Sequence, residues 1–247
     1  MHSLLGKARL LLESFDADSG ALSLTELASR SGVAKATVHR IAGELVALGL
    51  LERVGTKYGL GLRLFELGRL VPRQRILREA SLAFLQDLRA TTRETVHLAI
   101  RDDRDVLYIE KIAGHGALDL PSRVAGRLPL YATATGKAIL AYSSDAVFQS
   151  AIAGGFVKFT HRTVNSIEAL QRQISSVHTE TVAVEDEEVR LGALSVAAPI
   201  FGIHGAVVAA VAVSGPRYRM DAKRIAGPLT VAAEGISREV SVLERSA

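Results

Sequence analysis

The hydrophobic period of this chain changes once, and that change constrains its fold more than any other feature. Up to about Thr92 the apolar residues recur at helical spacing. Beyond Arg93 they alternate or run in short blocks bounded by turn residues. A chain of 247 residues has room for two cores. The switch predicts a mostly helical first part, a helical connector, and a second part in which hairpins mix with helices. That is an α+β chain with an antiparallel sheet.

In the first part, Leu4, Ala8, Leu11 and Leu12 form a helical stripe. Ser23-Leu24-Thr25-Glu26 is a capping-box pattern that opens a helix to about Ser31, and Ser31-Gly32-Val33 breaks it. A longer helix is expected over 35–48, with Val38, Ile41, Ala42, Leu45 and Leu48 on one face and Gly49 as its stop. Leu50 to Leu62 reads as two short strands around Gly55-Thr56-Lys57. From Phe65 to Thr92 the pattern is helical, broken near Pro72. Leu77, Leu82, Phe84, Leu85 and Leu88 supply its apolar contacts. The expected divisions are residues 1–72, a connecting helix over 73–92, and a second domain over 93–247.

In the second part, strands at 95–101 and 106–112 flank the turn Asp102-Asp103-Arg104-Asp105. A helix begins at Thr135 or Gly136 and runs to Tyr142, and another covers 166–178. Strands follow at 182–185, 193–200 and 206–214, the last two joined by Gly202-Ile203-His204-Gly205. A final helix spans 221–243.

Charge is divided as unevenly as the pattern. Residues 1–78 hold 12 Lys/Arg against 7 Asp/Glu, a net of +5, while 79–247 hold 18 against 19. The basic excess lies where a phosphate-binding part would need it. A solvated basic surface would look the same, so charge alone decides nothing.

Two short helices around a glycine turn, followed by a wing, make a winged helix-turn-helix. With Val38, Ile41, Ala42 and Leu45 inward, Ala36, Arg40, Gly43 and Ala47 face out, flanked by Thr37, His39 and Glu44. Arg40 can pair bidentately with guanine, Thr37 can bond a base or phosphate, and Ala36 can meet a thymine methyl. Lys35 suits a backbone phosphate. Lys57 and Tyr58 join the candidate DNA contacts from the wing. Gly43 costs about 1 kcal/mol relative to alanine in mid-helix; it either thins the outer face for deep entry or is simply tolerated. The competing reading is a three-helix bundle that binds protein.

Several segments resemble the IclR family of transcriptional regulators. They are 24–28 (LTELA), 31–40 (SGVAKATVHR), 58–61 (YGLG), 94–98 (ETVHL), 131–138 (YATATGKA) and 211–216 (VAVSGP). Their order and spacing across two domains carry the resemblance. It implies a winged helix that dimerises on double-stranded operator DNA, a connecting helix, and a GAF-like effector domain. It also implies a homodimer or a dimer of dimers, and small organic acids as effectors.

Residues 132–138 place two hydroxyls and a glycine before a helix, whose free N–H groups suit an anion such as a carboxylate. Thr133 and Thr135 can add hydroxyl donors. Alternatively, Thr135 only caps its own helix. The resemblance implies a pocket of Thr133, Ala134, Thr135 and Gly136 facing Glu185, Ser195 and Ser214. Many members carry aspartate in place of Glu185 and cysteine in place of Ser195; both departures alter which acid fits. Leu128 is either an apolar wall or plain core.

Other chemistries fit poorly. Gly136-Lys137 lacks the first glycine and the Ser/Thr of a phosphate-binding loop, with Tyr131 and Ala138 in those places. No metal-ligand spacing occurs among the seven histidines, although His178 and Glu185 could meet in space. The acidic run 185–188 reads as a solvated loop apart from Glu185. No Gly-x-Ser-x-Gly elbow is present. The chain has no cysteine, no signal-peptide stretch and no apolar run long enough to span a bilayer. The expectation is a cytoplasmic, cofactor-free, non-enzymatic regulator. The alternative is a metabolite-binding or hydrolytic enzyme tethered to a nucleic-acid domain, which turnover of a bound acid would reveal.

Overall fold

The computed structural model describes residues 3–16 and 19–246. It divides into two compact units, Met1–Arg75 and Ile76–Ala247, the division falling within a long helix.

The first unit runs α1 (Leu4–Leu12), α2 (Leu24–Ser31), α3 (Lys35–Ala47), β1 (Leu51–Val54), β2 (Lys57–Leu60) and α4 (Leu62–Arg69). The capping box forms as written: Ser23 N–H donates to Glu26 at 2.8 Å, and Glu26 N–H donates to Ser23 Oγ at 3.2 Å. Gly32 closes α2 in the left-handed region at φ 67°, which favours glycine. Leu11, Leu27, Val38, Ile41, Leu45 and Leu51 form the core. Leu48 departs from expectation. It caps the C-terminus of α3 and is 66% exposed, because Gly49 turns the chain back before the stripe completes another turn.

Helix α5 (Pro72–Thr92) crosses the division, with proline at its first position, where the missing N–H costs nothing. The second unit continues with β3 (Thr95–Asp102), β4 (Asp105–Ile112), β5 (Arg127–Pro129), a 3-10 turn over Leu130–Ala132 and α6 (Ala134–Ala141). Then follow α7 (Asp145–Ile152), α8 (Ile167–Glu180), β6 (Ala183–Asp186), β7 (Ala193–Phe201), β8 (Val207–Pro216) and α9 (Ala222–Ser246). The antiparallel sheet has order β5-β4-β3-β8-β7-β6. β5 and α7 were not foreseen; one has three residues and the other eight, too short for a period to show.

The pleat sorts the sheet into two faces. Val96, Leu98, Val196, Ile200, Val211 and Val213 meet Leu77, Leu85 and Leu88 of α5 and Leu229, Ile236 and Val240 of α9. Leu82 points away and is exposed. The opposite face carries small residues, Ala99, Ala197, Ala210 and Ala212, beneath α6 and α8. Bulky side chains would fill that layer. Alanines let α6 approach closely and leave space beside it.

Candidate nucleic-acid interface and ligand cavity

Lys35, Ala36, His39, Arg40, Gly43, Glu44 and Ala47 of α3 are exposed and Thr37 is half-buried, as the helical step dictates once Val38, Ile41, Ala42 and Leu45 are buried. Ala34 precedes α3 without a side-chain cap, so no side chain competes for the first-turn N–H groups and a phosphate can take them. Arg40 pairs with Glu44 at 2.7 Å, both more than half exposed. Such a pair contributes about 0–1 kcal/mol and yields readily to a base edge. A Cβ on Gly43 would meet nothing within 4 Å, so nothing in the chain itself requires glycine there.

Lys57 stands exposed at the start of β2, on the wing. Tyr58 does not join it. Its side chain is 1% exposed in the core, its backbone exchanges hydrogen bonds with Leu22, and Arg53 lies 4.1 Å over its ring. The alternation that sends Lys57 outward sends Tyr58 inward. Tyr58 is therefore a packing residue, and Arg53, which the sequence pattern does not single out, is a second exposed wing cation beside Lys57.

In the second unit, a small cavity of about 30 Å³ opens on the small-residue face of the sheet. Leu128, Thr133, Ala134, Thr135, Glu185, Ser195 and Ser214 all line it. Strand register brings three of them into a row: Glu185 pairs with Ser195, and Ser195 with Ser214. Gly136 is not in the lining. A Cβ there would sit 2.1 Å from the Leu130 carbonyl oxygen, so its role is the close approach of α6 to the preceding turn.

The hydroxyls divide the work differently from either expectation. Thr133 is the N-cap, accepting from Gly136 N–H at 3.1 Å and donating to the Pro129 carbonyl at 3.2 Å. Thr135 lies within the first turn. Its buried Oγ1 has no hydrogen-bond partner. It comes near enough to the Tyr108 phenol to ease that group's shift, yet in no geometry that counts as a hydrogen bond. Burial pushes the Tyr108 phenol up.

His97, Tyr108, Ser122 and Arg190 also line the cavity and were missed. His97 shares a face of β3 with Ala99, and its neighbour on β8 is Ala212. Its alternate position within 94–98 was the signal. Ser122 Oγ lies 2.8 Å from His97 Nε2, and Ser214 Oγ lies 3.4 Å from Nδ1. Burial, helped by the nearby Lys111 charge, pulls His97 down to about 3, so the imidazole is neutral.

Glu185 is buried and held above the usual carboxylate range by desolvation. Opposing that shift, Oε1 accepts from Glu188 N–H at 2.6 Å and Val189 N–H at 3.0 Å, the Ser195 hydroxyl lies beside the carboxylate, and the Lys137 charge is near. Behind the cavity, fully buried Lys137 pairs with Glu188, whose carboxylate also accepts from Val164 N–H at 3.2 Å and Gln173 at 3.3 Å. His178 packs edge-on against Tyr142, with ring centroids 4.9 Å apart. No cluster of three or more His, Asp or Glu suited to a metal occurs among the described residues.

A helix-turn-helix with a basic outer face, combined with a sheet domain that carries a cavity lined by both polar and apolar side chains, defines a ligand-responsive DNA-binding regulator. Comparison with known proteins is consistent with both halves. Residues 70–241 match the family model for the bacterial transcriptional regulator IclR C-terminal domain, and residues 4–55 match the IclR helix-turn-helix domain. The chain is 31% identical to the regulator XynR of Escherichia coli K12 over 223 residues, 89% of this chain and 88% of that one. It is 34% identical to E. coli KdgR over 208 residues, 83% of this chain and 79% of that one. An IclR homologue from Microbacterium hydrocarbonoxydans, solved with 4-hydroxybenzoate, superposes with a TM-score of 0.91 at 28% identity, covering 99% of this chain and all of that one. The Thermotoga maritima IclR superposes at 0.81 with 28% identity, over 96% of this chain and 98% of that one.

The chain belongs to the IclR family of transcriptional regulators. Its relatives are regulators, and they give the tethered-enzyme alternative no support.

Proposed function

We propose that α3 reads operator DNA through Lys35, Ala36, Thr37, His39 and Arg40, with Lys57 on the wing, and that a small organic acid in the cavity modulates that binding in the cytoplasm. The observation that carries the ligand half is Thr135 Oγ1, a buried hydroxyl without a partner in a cavity wall. Leaving such a group unpaired costs about 1–3 kcal/mol, and a ligand oxygen recovers it. The proposed contacts are Leu128, Thr133, Ala134, Thr135, Glu185, Ser195 and Ser214. The 4-hydroxybenzoate held by the Microbacterium homologue makes aromatic hydroxy acids a natural first probe. Helix α5, which begins before the division and ends after it, is the proposed connector.

Thr135→Val keeps the shape and removes the hydroxyl. It is expected to weaken acid binding about fivefold or more while the melting temperature stays within a few degrees of wild type. Calorimetry checks this; an unchanged affinity would move the site elsewhere. Operator affinity with and without the acid is expected to differ by about 1–3 kcal/mol.

One recognition helix reads few bases, so we propose a homodimer, or a dimer of dimers, on a near-palindromic site with half-sites roughly 34 Å apart or a multiple of it. Exposed Leu62, Phe65 and Leu70 of the α4 region offer apolar surface for self-association. Footprinting tests the symmetry, and a short unpaired site bound by a monomer contradicts it. Arg40→Ala is expected to lose about 1–3 kcal/mol on the operator and relax preference at one base pair. Lys35→Ala is expected to weaken all sequences alike and flatten the salt slope by about one unit. Titrations of operator variants at several salt concentrations separate the two.

A further inference from the structure

The cavity lining holds one cationic side chain, Arg190, and one carboxylate, Glu185. They differ in how firmly they are engaged. Glu185 is buried and accepts two backbone N–H bonds. Arg190 has as its ion-pair partner Asp119, at 3.4 Å, with the Asp119 side chain 92% exposed. A pair so wet contributes about 0–1 kcal/mol and uses little of a guanidinium fork built for bidentate carboxylate binding.

The position of this pair adds meaning. Arg190 follows Val189 on the segment that closes one side of the cavity, while Asp119 immediately precedes Leu120, Pro121 and Ser122, which line another. The ion pair thus ties two cavity-forming segments together. An acid entering between them meets a guanidinium at one end and, further in, the neutral His97 imidazole, serine hydroxyls and the Glu185 carboxylate. Glu185 repels a second carboxylate placed beside it. The arrangement therefore favours a ligand whose anionic group stays at Arg190 and whose neutral part faces Glu185 and Thr135.

We infer that Arg190 is the effector's carboxylate anchor and that it exchanges Asp119 for the ligand when the ligand binds. This rests on the acid-binding reading of the cavity and assigns the end at which the acid is held. The exchange also makes Asp119 a built-in competitor: the ligand must displace one carboxylate to be held by the same fork.

The test uses the full-length protein and a panel of 2-oxo, aromatic and sugar acids including 4-hydroxybenzoate, pyruvate and gluconate, each paired with its neutral amide. Calorimetry is run on wild type, Arg190→Gln and Asp119→Asn, with thermal melting as the fold control. For any acid that binds, wild type is expected to prefer acid over amide by about tenfold or more. Arg190→Gln is expected to erase that preference by losing the acid and keeping the amide. Asp119→Asn is expected to strengthen the acid about threefold by removing the competitor. A purely structural Arg190 would change acid and amide alike, and that result overturns the inference while the cavity reading stands. Acid binding that no acid in the panel shows overturns the cavity reading and the inference together.

Discussion

Lys137→Met is expected to destabilise the second unit by about 3–5 kcal/mol, the usual cost of stripping one partner from a buried ion pair. Lys137 is 0% exposed and Glu188 is buried with it. Burial alone pulls Lys137 down, and the Glu188 charge and hydrogen bond oppose that pull. Methionine fills much of the lysine volume, so the loss isolates the charge and not a cavity. Glu188 is left with its Val164 and Gln173 donors and no cation. The double variant Lys137→Met/Glu188→Gln removes the orphan charge and should recover most of the loss. Urea denaturation of the three proteins at pH 7 measures both effects. A single variant within 1 kcal/mol of wild type at pH 7 would show that water reaches the pair. The effect should extend to the ligand site, because Glu188 N–H donates to Glu185 Oε1 and Lys137 lies near enough to Glu185 to lower it.

Nothing in the sequence announced that pair. Gly136-Lys137 was legible only as a failed phosphate loop, and Glu188 only as one carboxylate in a charged run. Local pattern cannot show that two residues 51 positions apart meet in a dry layer. What was legible is what local chemistry determines. The capping box, the inward face Val38-Ile41-Ala42-Leu45 and the change of period at Arg93 each depend on neighbours within a few residues. Tyr58 and Leu48 failed for related reasons. A wing of four-residue strands leaves one residue's difference between outside and core, and a helix stripe says nothing about where a glycine ends it. Seven of the eight expected ligand residues line the cavity, but they entered through a family resemblance joined to one helix start. The second wall, His97 with Ser122 and Arg190, comes from β3 and two loops. Register brings those together, and no motif records register.

His97 gives the site its sharpest pH signature. Desolvation holds it down to about 3 in the folded chain, against about 6.5 when unfolded. The unfolded chain therefore takes up a proton below pH 6.5 that the folded chain refuses until about pH 3. Stability linked to His97 is complete above 6.5 and falls as pH drops through that window. At about 1.4 kcal/mol per pH unit, roughly 2 kcal/mol is lost between pH 7 and pH 5. The groups facing the imidazole do not cancel this. Ser122 and Ser214 do not titrate here, Tyr108 is pushed up and stays neutral, and Lys111 adds a positive charge that disfavours the imidazolium. Glu185, which lines the same cavity, works in the opposite sense, since its folded pKa is raised and the folded state gains its proton first. The diagnostic is consequently the difference between wild type and His97→Gln, which keeps a polar group within reach of Ser122 and cannot titrate. Wild type should lose roughly 2 kcal/mol more than the variant on going from pH 7 to 5, read as the change in urea-unfolding free energy. Parallel pH slopes for the two proteins would mean that the folded imidazole takes up its proton in the same pH window as the unfolded one, and that below about pH 6.5 the cavity floor presents an anion-binding cation where a neutral donor is expected.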